Sequence, residues 1–448
     1  MNNNNVMTEG CVWKKILRFF VPILFSALFQ QLYNFMDAVI VGRYAGTLAL
    51  SAVGGSSCRI IFTYINFFIA LGAGATSIIA YDFGSKNYEE LKKSINSGVY
   101  LSIFFGIIMA IIGVTTANKL LIFMDTPIEL MEDSNIYVKI FMSGMLFNSI
   151  YNLGSGILRA LGDSKRPLYL LIISSITNIV LDVIFVIGLK LGVKGAAIAT
   201  IISQAISAIF ILVMLSKLDN RYAFTFEKMI IDMSKIKKML KVGIPSGCQS
   251  LMYSYANIVV QTSINFFSTK SIAAYTAYAK YDDIIYAVLS SFGIALMTYV
   301  AQNYGAKKYK RVVNGIVQTS IMSLIAMIFI SVIFSLNAEF LISLISKDSE
   351  VIIIGAKLIR VVIPMFFTFI LLELLSQSLR GLGNSFIPMI ITAICVCGGR
   401  LFWIYCVLPS NNTITFLAMC YPFSWGAASI SFLIYFLYYW KKMRKTIS

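Results

Sequence analysis

Histidine is absent from the 448 residues. With it go the commonest general base near neutral pH and the commonest metal ligand. Charge is scarce as well. Asp, Glu, Lys and Arg make up 13% of the chain, against ~25% in soluble globular proteins. The seven cysteines contain no CxxC pair, and Cys395 and Cys397 sit two apart inside an apolar run. They read as small hydrophobes, so neither a disulfide framework nor a zinc site is expected. No GxxxxGKS/T loop occurs, which leaves the chain without a nucleotide-driven motor of its own, and no HExxH helix occurs either.

What is present is apolar. Hydrophobic residues are 58% of the chain and the mean hydropathy is +0.81, an excess too broad for one terminal anchor. The surface of such a chain must face lipid. Lys and Arg outnumber Asp and Glu by 37 to 20. That excess fits basic residues gathered at the cytoplasmic ends of helices rather than nucleic-acid binding.

A bilayer core takes ~20 apolar residues in helical form, and backbone groups cannot stay unpaired in lipid, so each long apolar run is expected to be a helix. Twelve spans are predicted at about 17–41, 48–80, 95–117, 136–158, 168–189, 194–215, 240–266, 272–300, 313–336, 352–379, 385–408 and 414–439. With the N-terminus inside, the cytoplasmic segments hold 25 basic residues and the external ones eight. The positive-inside rule then puts both termini in the cytoplasm of a multi-pass protein of the cell inner membrane.

The chain repeats itself. Leu158-Arg-Ala-Leu-Gly-Asp-Ser164, followed by Pro167, returns 221 residues later as Leu379-Arg-Gly-Leu-Gly-Asn-Ser385, followed by Pro388. At the same spacing Asp82-Phe-Gly-Ser-Lys-Asn-Tyr88 matches Asn303-Tyr-Gly-Ala-Lys-Lys-Tyr309, and Arg59 pairs with Lys280. The segment Lys15–Pro22 resembles Lys238–Pro245, shifted by two. Six spans per half return the chain to its starting side, so the halves share orientation. The expected fold is an all-α polytopic membrane protein. Its twelve transmembrane helices form two parallel six-helix bundles, with pseudo-twofold symmetry along the membrane normal. The boundaries read as an N-terminal lobe over 1–215, a basic cytoplasmic connector over 216–239 and a C-terminal lobe over 240–448. Two like lobes around a cleft suit alternating access; a two-lobed channel or scaffold is the plainer reading. The glycines of the two LRxLGxS blocks can end a helix, and the prolines beyond can start the next one.

Ionisable groups inside spans are costly and are functional candidates by default. Span one carries Asp37. Span five carries Asn178 and Asp182, four apart and so on one helix face. Thr200 lies one or two turns into span six. At ~1.5 Å per residue the depths of Asp37, Asp182 and Thr200 agree, roughly 6 to 10 Å from the outer surface. Together they read as one site of two carboxylates, an amide and a hydroxyl. Two neighbouring carboxylates cannot both stay ionised cheaply, so a proton or a cation belongs between them. The ligands are hard oxygens, which suit H⁺ or Na⁺ and disfavour soft metals. The plainer reading, in which each acid pairs with a buried donor, finds no Lys or Arg in the outer half of spans one, five or six. Glu373, with Gln377 one turn on, and Tyr253 in the second half, together with Tyr33 of span one, are candidates for lining a substrate cleft that attracts lipophilic cations. Ordinary packing is the alternative for each.

These blocks resemble the multidrug and toxic compound extrusion family. The resemblance runs over nearly the whole chain, from the Pro22…Asp37-Ala-Val-Ile-Val-Gly42 span through the GDSKRP and GNSFIP turns and VGIPSGCQS. It implies twelve helices in two bundles and an H⁺- or Na⁺-coupled antiporter that expels cationic, lipophilic compounds. It also implies a cation site at Asp37, Asn178, Asp182 and Thr200. One branch of that family uses carboxylates of helices seven and ten instead. Here span seven reads SLMYSYANIV without an acid, which favours the N-terminal site. No cofactor, resident metal or nucleic-acid partner is expected, and the protein is expected to work as a monomer. The rival readings are an exporter of one endogenous metabolite, a flippase for a lipid-linked sugar, and a membrane-embedded enzyme. The last is disfavoured by the missing His and the absence of a clustered nucleophile–base pair, though carboxylate or Tyr chemistry stays open.

Overall fold

The computed structural model describes residues 6–225, 231–411 and 413–447. The described chain is helical throughout. Its principal helices are α1 (Val12–Tyr44), α2 (Thr47–Gly84), α3 (Tyr88–Phe123), α4 (Ile128–Ser143), α5 (Met145–Ala160), α6 (Lys165–Gly188) and α7 (Gly192–Ser216). They continue with α8 (Met233–Ile264), α9 (Thr269–Gly305), α10 (Tyr309–Leu336), α11 (Ser349–Gly381), α12 (Phe386–Ser410) and α13 (Ile414–Lys442). Among the described residues, nine helices are long and apolar enough to cross a membrane by length and composition. Outside that set, α1 and α8 are 33 and 32 residues long but dilute their apolar runs with polar groups such as Gln30, Asn34, Asp37, Gln249 and Asn257. The apolar stretch over 128–160 breaks at Gly144 into α4 and α5.

The protein is an all-α, multi-pass membrane protein, and its surface shows it. On α10 the residues Ile321, Ile325, Phe329, Val332 and Leu336 are each more than half exposed. They recur at helical spacing, an apolar stripe that only lipid would cover.

The described residues form two compact units. The first is chiefly Val21–Gly247; the second is chiefly Cys248–Tyr304 and Lys308–Ser448, together with Thr8–Phe20. Thus α1 passes from the second unit into the first beside Pro22, and α8 passes from the first into the second beside Pro245. In the first unit, bare glycines bring backbones together. A Cβ on Gly74 of α2 would meet the Met239 carbonyl of α8 at 2.3 Å, and one on Gly243 would meet the Leu71 carbonyl at 2.6 Å. Small residues at such crossings replace the hydrophobic drive that lipid removes.

The duplication is written in the backbone. Gly162 and Gly383 hold φ of 84° and 82°. In each turn the glycine N–H reaches the carbonyl three residues back, Arg159 or Arg380, and the next N–H reaches Leu158 or Leu379. This is a Schellman cap, which needs a left-handed residue and so favours glycine. The LRxLGxS blocks therefore stop α5 and α11. Asp163 then accepts the N–H groups of Lys165 and Arg166, both at 3.1 Å, and opens α6. A second pair of left-handed residues, Lys86 at 59° and Lys307 at 58°, keeps the same spacing.

At the corner between α2 and α3 a buried charge cluster holds the start of α8. Lys235 donates to Asp82 at 2.6 Å and lies 3.1 Å from Glu90, while Ser94 also donates to Asp82. The sequence predicted residues 216–239 as a connector. Within it, Tyr222 stacks on Tyr88 and Phe224 is fully buried. Arg221 binds Asp219 at 2.7 Å and lies over the Tyr88 ring at 4.2 Å. Hydrogen bonds from Arg221 hold the Asp219 carboxyl down at about 2. The second unit has a related corner: Arg311 donates to Asn303 at 3.1 Å and to the Gly10 carbonyl at 2.9 Å.

Removing one partner of a buried ion pair strands the other charge, at a cost of about 3–5 kcal/mol. Lys235→Met and Asp82→Asn are each expected to lower the melting temperature in detergent clearly, and the double variant to recover part of the loss. Single variants that melt with the wild type would show that the pair does not hold this corner.

Candidate functional site

Three helices of the first unit bring Asp37, Asn178, Asp182 and Thr200 together. Asp37 comes from α1, Asn178 and Asp182 from the face of α6 that the i, i+4 spacing predicts, and Thr200 from α7. Asn178 and Asp182 are fully buried and Thr200 is 3% exposed. The Asp37 and Asp182 carboxyls meet side chain to side chain. Two carboxyls make that contact only through a proton or a cation, since both otherwise offer acceptors alone. The Oδ1 atom of each is buried and has no hydrogen-bond partner among the described residues. In the orientation that suits its neighbours, the Asn178 amide donates to Asp182 Oδ2 at 2.9 Å and accepts the Thr200 N–H at 3.3 Å. Thr200 Oγ1 donates to the Ala196 carbonyl at 3.0 Å, which leaves its lone pairs directed elsewhere.

Local structure explains the placement. Directly after Asp182 the last turns of α6 widen into a π segment, Val183–Gly188. Such segments recur at functional sites because one extra residue per turn re-aims the side chains beside it. Tyr33, read from the sequence as a cleft residue, belongs to this group: its hydroxyl lies beside the Thr200 side chain. It stands one turn before Asp37, so its i, i+4 spacing already carried the signal.

The other cleft candidates lie in the second unit. Glu373 is 8% exposed and accepts from Gln377 at 2.9 Å. A Cβ on Gly293 of α9 would come within 2.6 Å of Glu373 Oε1, so the bare glycine makes room for the carboxyl. Tyr253 and Tyr286 lie within electrostatic range of Glu373. Beside them Arg380 donates to Gln249 at 2.6 Å, and Gln249 donates to Thr392 at 2.7 Å. Gln249, which the sequence reading passed over, links Arg380 and Thr392 in this network. On α9 the Asp282 carboxylate accepts from Tyr278 at 2.8 Å.

Apart from these clusters, a small apolar cleft opens in the first unit. Phe68 and Phe105 wall it, and Ser102 and Asn152 are among its few polar groups.

Overpacking a tight interior site costs about 1–3 kcal/mol. Gly293→Ala is expected to lower thermal stability by that order and to break the Glu373–Gln377 bond. Unchanged melting would show that Glu373 is free to swing away.

Comparison with known proteins places this arrangement. The MatE family model matches residues 22–184 and again 245–405, once in each half. The chain is 27% identical over 451 residues to the probable multidrug resistance protein YoeA of Bacillus subtilis, covering 98% of this chain and 96% of that one. It is also 27% identical over 395 residues to the probable multidrug resistance protein NorM of Thermotoga maritima, covering 87% and 84% of the two chains. A crystal structure of a MATE protein in the bent conformation superposes with a TM-score of 0.91 at 21% identity, covering 100% and 99% of the two chains, which shows the shared fold. The chain belongs to the MatE family and is a secondary transporter of the multidrug and toxic compound extrusion type, not an enzyme.

Proposed function

We propose that Asp37, Asn178, Asp182 and Thr200 form the coupling site through which this transporter exchanges H⁺ or Na⁺ for small lipophilic, cationic compounds. The observation that carries the reading is the contact between the Asp37 and Asp182 carboxyls, each with a buried Oδ1 that no described group satisfies. A cation entering there meets hard oxygens only, which fits a proton or Na⁺. Filling the site cancels the repulsion between the acids; emptying it restores the repulsion. The site thus has two states of different charge, as an exchanger requires. One charge crossing about 150 mV releases about 3.5 kcal/mol, and each tenfold gradient of cargo costs about 1.4 kcal/mol. One cation therefore supports a gradient of a few hundredfold for a neutral compound, whereas a monovalent cationic compound exchanged for one cation moves no net charge and draws on the chemical part of the ion gradient instead.

Around this site the proposed frame is twelve transmembrane helices in two six-helix lobes, 1–215 and 240–448, joined by the connector 216–239. Both termini face the cytoplasm and the monomer is the working unit. The multidrug resistance names of the two relatives support export of foreign compounds as the task.

Asp37→Asn and Asp182→Asn are each expected to abolish dye efflux from energised vesicles while expression and membrane insertion persist. Proteoliposomes given separate pH and Na⁺ gradients identify the coupling ion. Wild-type efflux in both variants would remove the proposal.

A further inference from the structure

The first unit's carboxylates have no counterpart in the second half. At the spacing of 221 residues, Asp182 corresponds to Trp403; at the shifted spacing of 223 that relates Pro22 to Pro245, Asp37 corresponds to Val260. The same correspondences bring other polar residues into register. Thr200 matches Tyr421, Asn34 matches Asn257, and Asn178 matches Gly399, next to Arg400. Asn257, Arg400 and Tyr421 do assemble. Arg400 Nη1 donates to Asn257 Oδ1 at 2.6 Å, and the guanidinium carbon lies 4.4 Å from the centre of the Tyr421 ring. Arg400 itself corresponds to Ile179, so the region of the second half that matches the acid site carries a positive charge at a neighbouring position.

Arg400 is ten residues from the end of α12, about 15 Å along the helix axis at ~1.5 Å per residue. That is half the ~30 Å hydrocarbon thickness. It is 2% exposed. Among the described residues no carboxylate lies within ion-pair distance of it; Asp282 acts on it through space only, and its Nε is buried without a hydrogen-bond partner. An amide, a ring and a distant carboxylate do not replace the hydrogen bonds that water gives a guanidinium, and a buried donor left so is costly. The donor left unfilled on Nε suits an anion. Nε and a neighbouring Nη present the parallel pair of N–H donors that carboxylates and phosphates accept in bidentate fashion. Asn257, which holds one side of the guanidinium, is exposed, so the group lies one side chain below an accessible surface. Arg400 also sits in a single α-turn, Gly399–Phe402, between the π segments Thr392–Gly398 and Trp403–Val407. The second of these π segments mirrors the one that follows Asp182.

We infer that Arg400, with Asn257 and Tyr421, binds an anionic group, a carboxylate or phosphate, carried by the transported compound. The inference rests on the chain being an exporter and extends its cargo from lipophilic cations to compounds that also bear an acid. It is independent of which ion drives export.

The test uses the full chain in detergent and reads binding rather than efflux. The probes are rhodamine B, which carries a free carboxylate, and its ethyl ester, which does not. Fluorescence anisotropy gives both affinities for the wild type, Arg400→Gln and Arg400→Lys. A charge-assisted bond predicts that Arg400→Gln weakens the acid by at least about tenfold and leaves the ester unchanged, with Arg400→Lys between. Should Arg400→Gln fail to fold, the wild type decides: inorganic phosphate at constant ionic strength should displace the acid but not the ester, and should alter the emission of Trp403. An acid-to-ester ratio that Arg400→Gln leaves as it was overturns the assignment. So does a wild type whose acid binding and Trp403 emission ignore phosphate. Phosphate binding without preference for the acid over the ester assigns the site to a free anion and overturns the cargo reading. Failure of the coupling site would appear separately, as intact efflux in the Asp37 and Asp182 variants.

Discussion

Two negative side chains meet in the interior of a helical unit, and the rest of the account follows from that contact. Asp37 and Asp182 belong to different helices, α1 and α6, and neither has a basic residue to neutralise it among the described residues. A soluble protein would relieve such a pair with water. In a lipid-embedded unit the relief must come from a proton, a metal cation or a rearrangement of the helices that carry the acids. Asn178 holds Asp182 from the other side, donating to its Oδ2 while accepting the Thr200 N–H. An electrostatic conflict that only a small cation resolves is a compact way to make a protein's state depend on an ion gradient.

The two halves share their backbone and have parted in their side chains. The Schellman caps at Gly162 and Gly383, the left-handed lysines at 86 and 307 and the prolines of α1 and α8 hold the same places in both. These features are set by turn geometry, which tolerates few residues. The buried polar positions are not so bound. One half has carboxylates and a threonine; the other has a guanidinium and a tyrosine in the matching shell. A duplicated frame with opposite charges at equivalent depths can attend to two chemically different groups at once, one coupling ion and one group of the cargo.

Much of this was legible in the residues. The apolar runs located the helices because a backbone in lipid has no alternative to the helix. The i, i+4 spacing of Asn178 and Asp182 put them on one face, and depth counting joined them to Asp37 and Thr200. Other features were hidden for physical reasons. The break at Gly144 does not interrupt hydropathy, because glycine is apolar, so the predicted span over 136–158 runs straight through it. The Lys235–Asp82 bond joins residues 153 apart, and no local pattern reports a pairing at that distance. Tyr33 was assigned to the cleft because an aromatic face near carboxylates attracts lipophilic cations; its place beside Thr200 depends on a neighbour from another helix, which no local pattern reports. Arg400 was visible as a charge within a span, but its meaning depends on having an amide and a ring as neighbours where a carboxylate would be expected.

The most direct test of the central claim is proton counting. Purified protein in weakly buffered detergent solution, carrying a pH indicator, is mixed with Na⁺ and, separately, with a lipophilic cation. If Asp37 and Asp182 hold a shared proton, one or both additions release it, and Asp37→Asn and Asp182→Asn release none while still folded. Equal release from the wild type and both variants, or none from the wild type with either addition, would contradict the account.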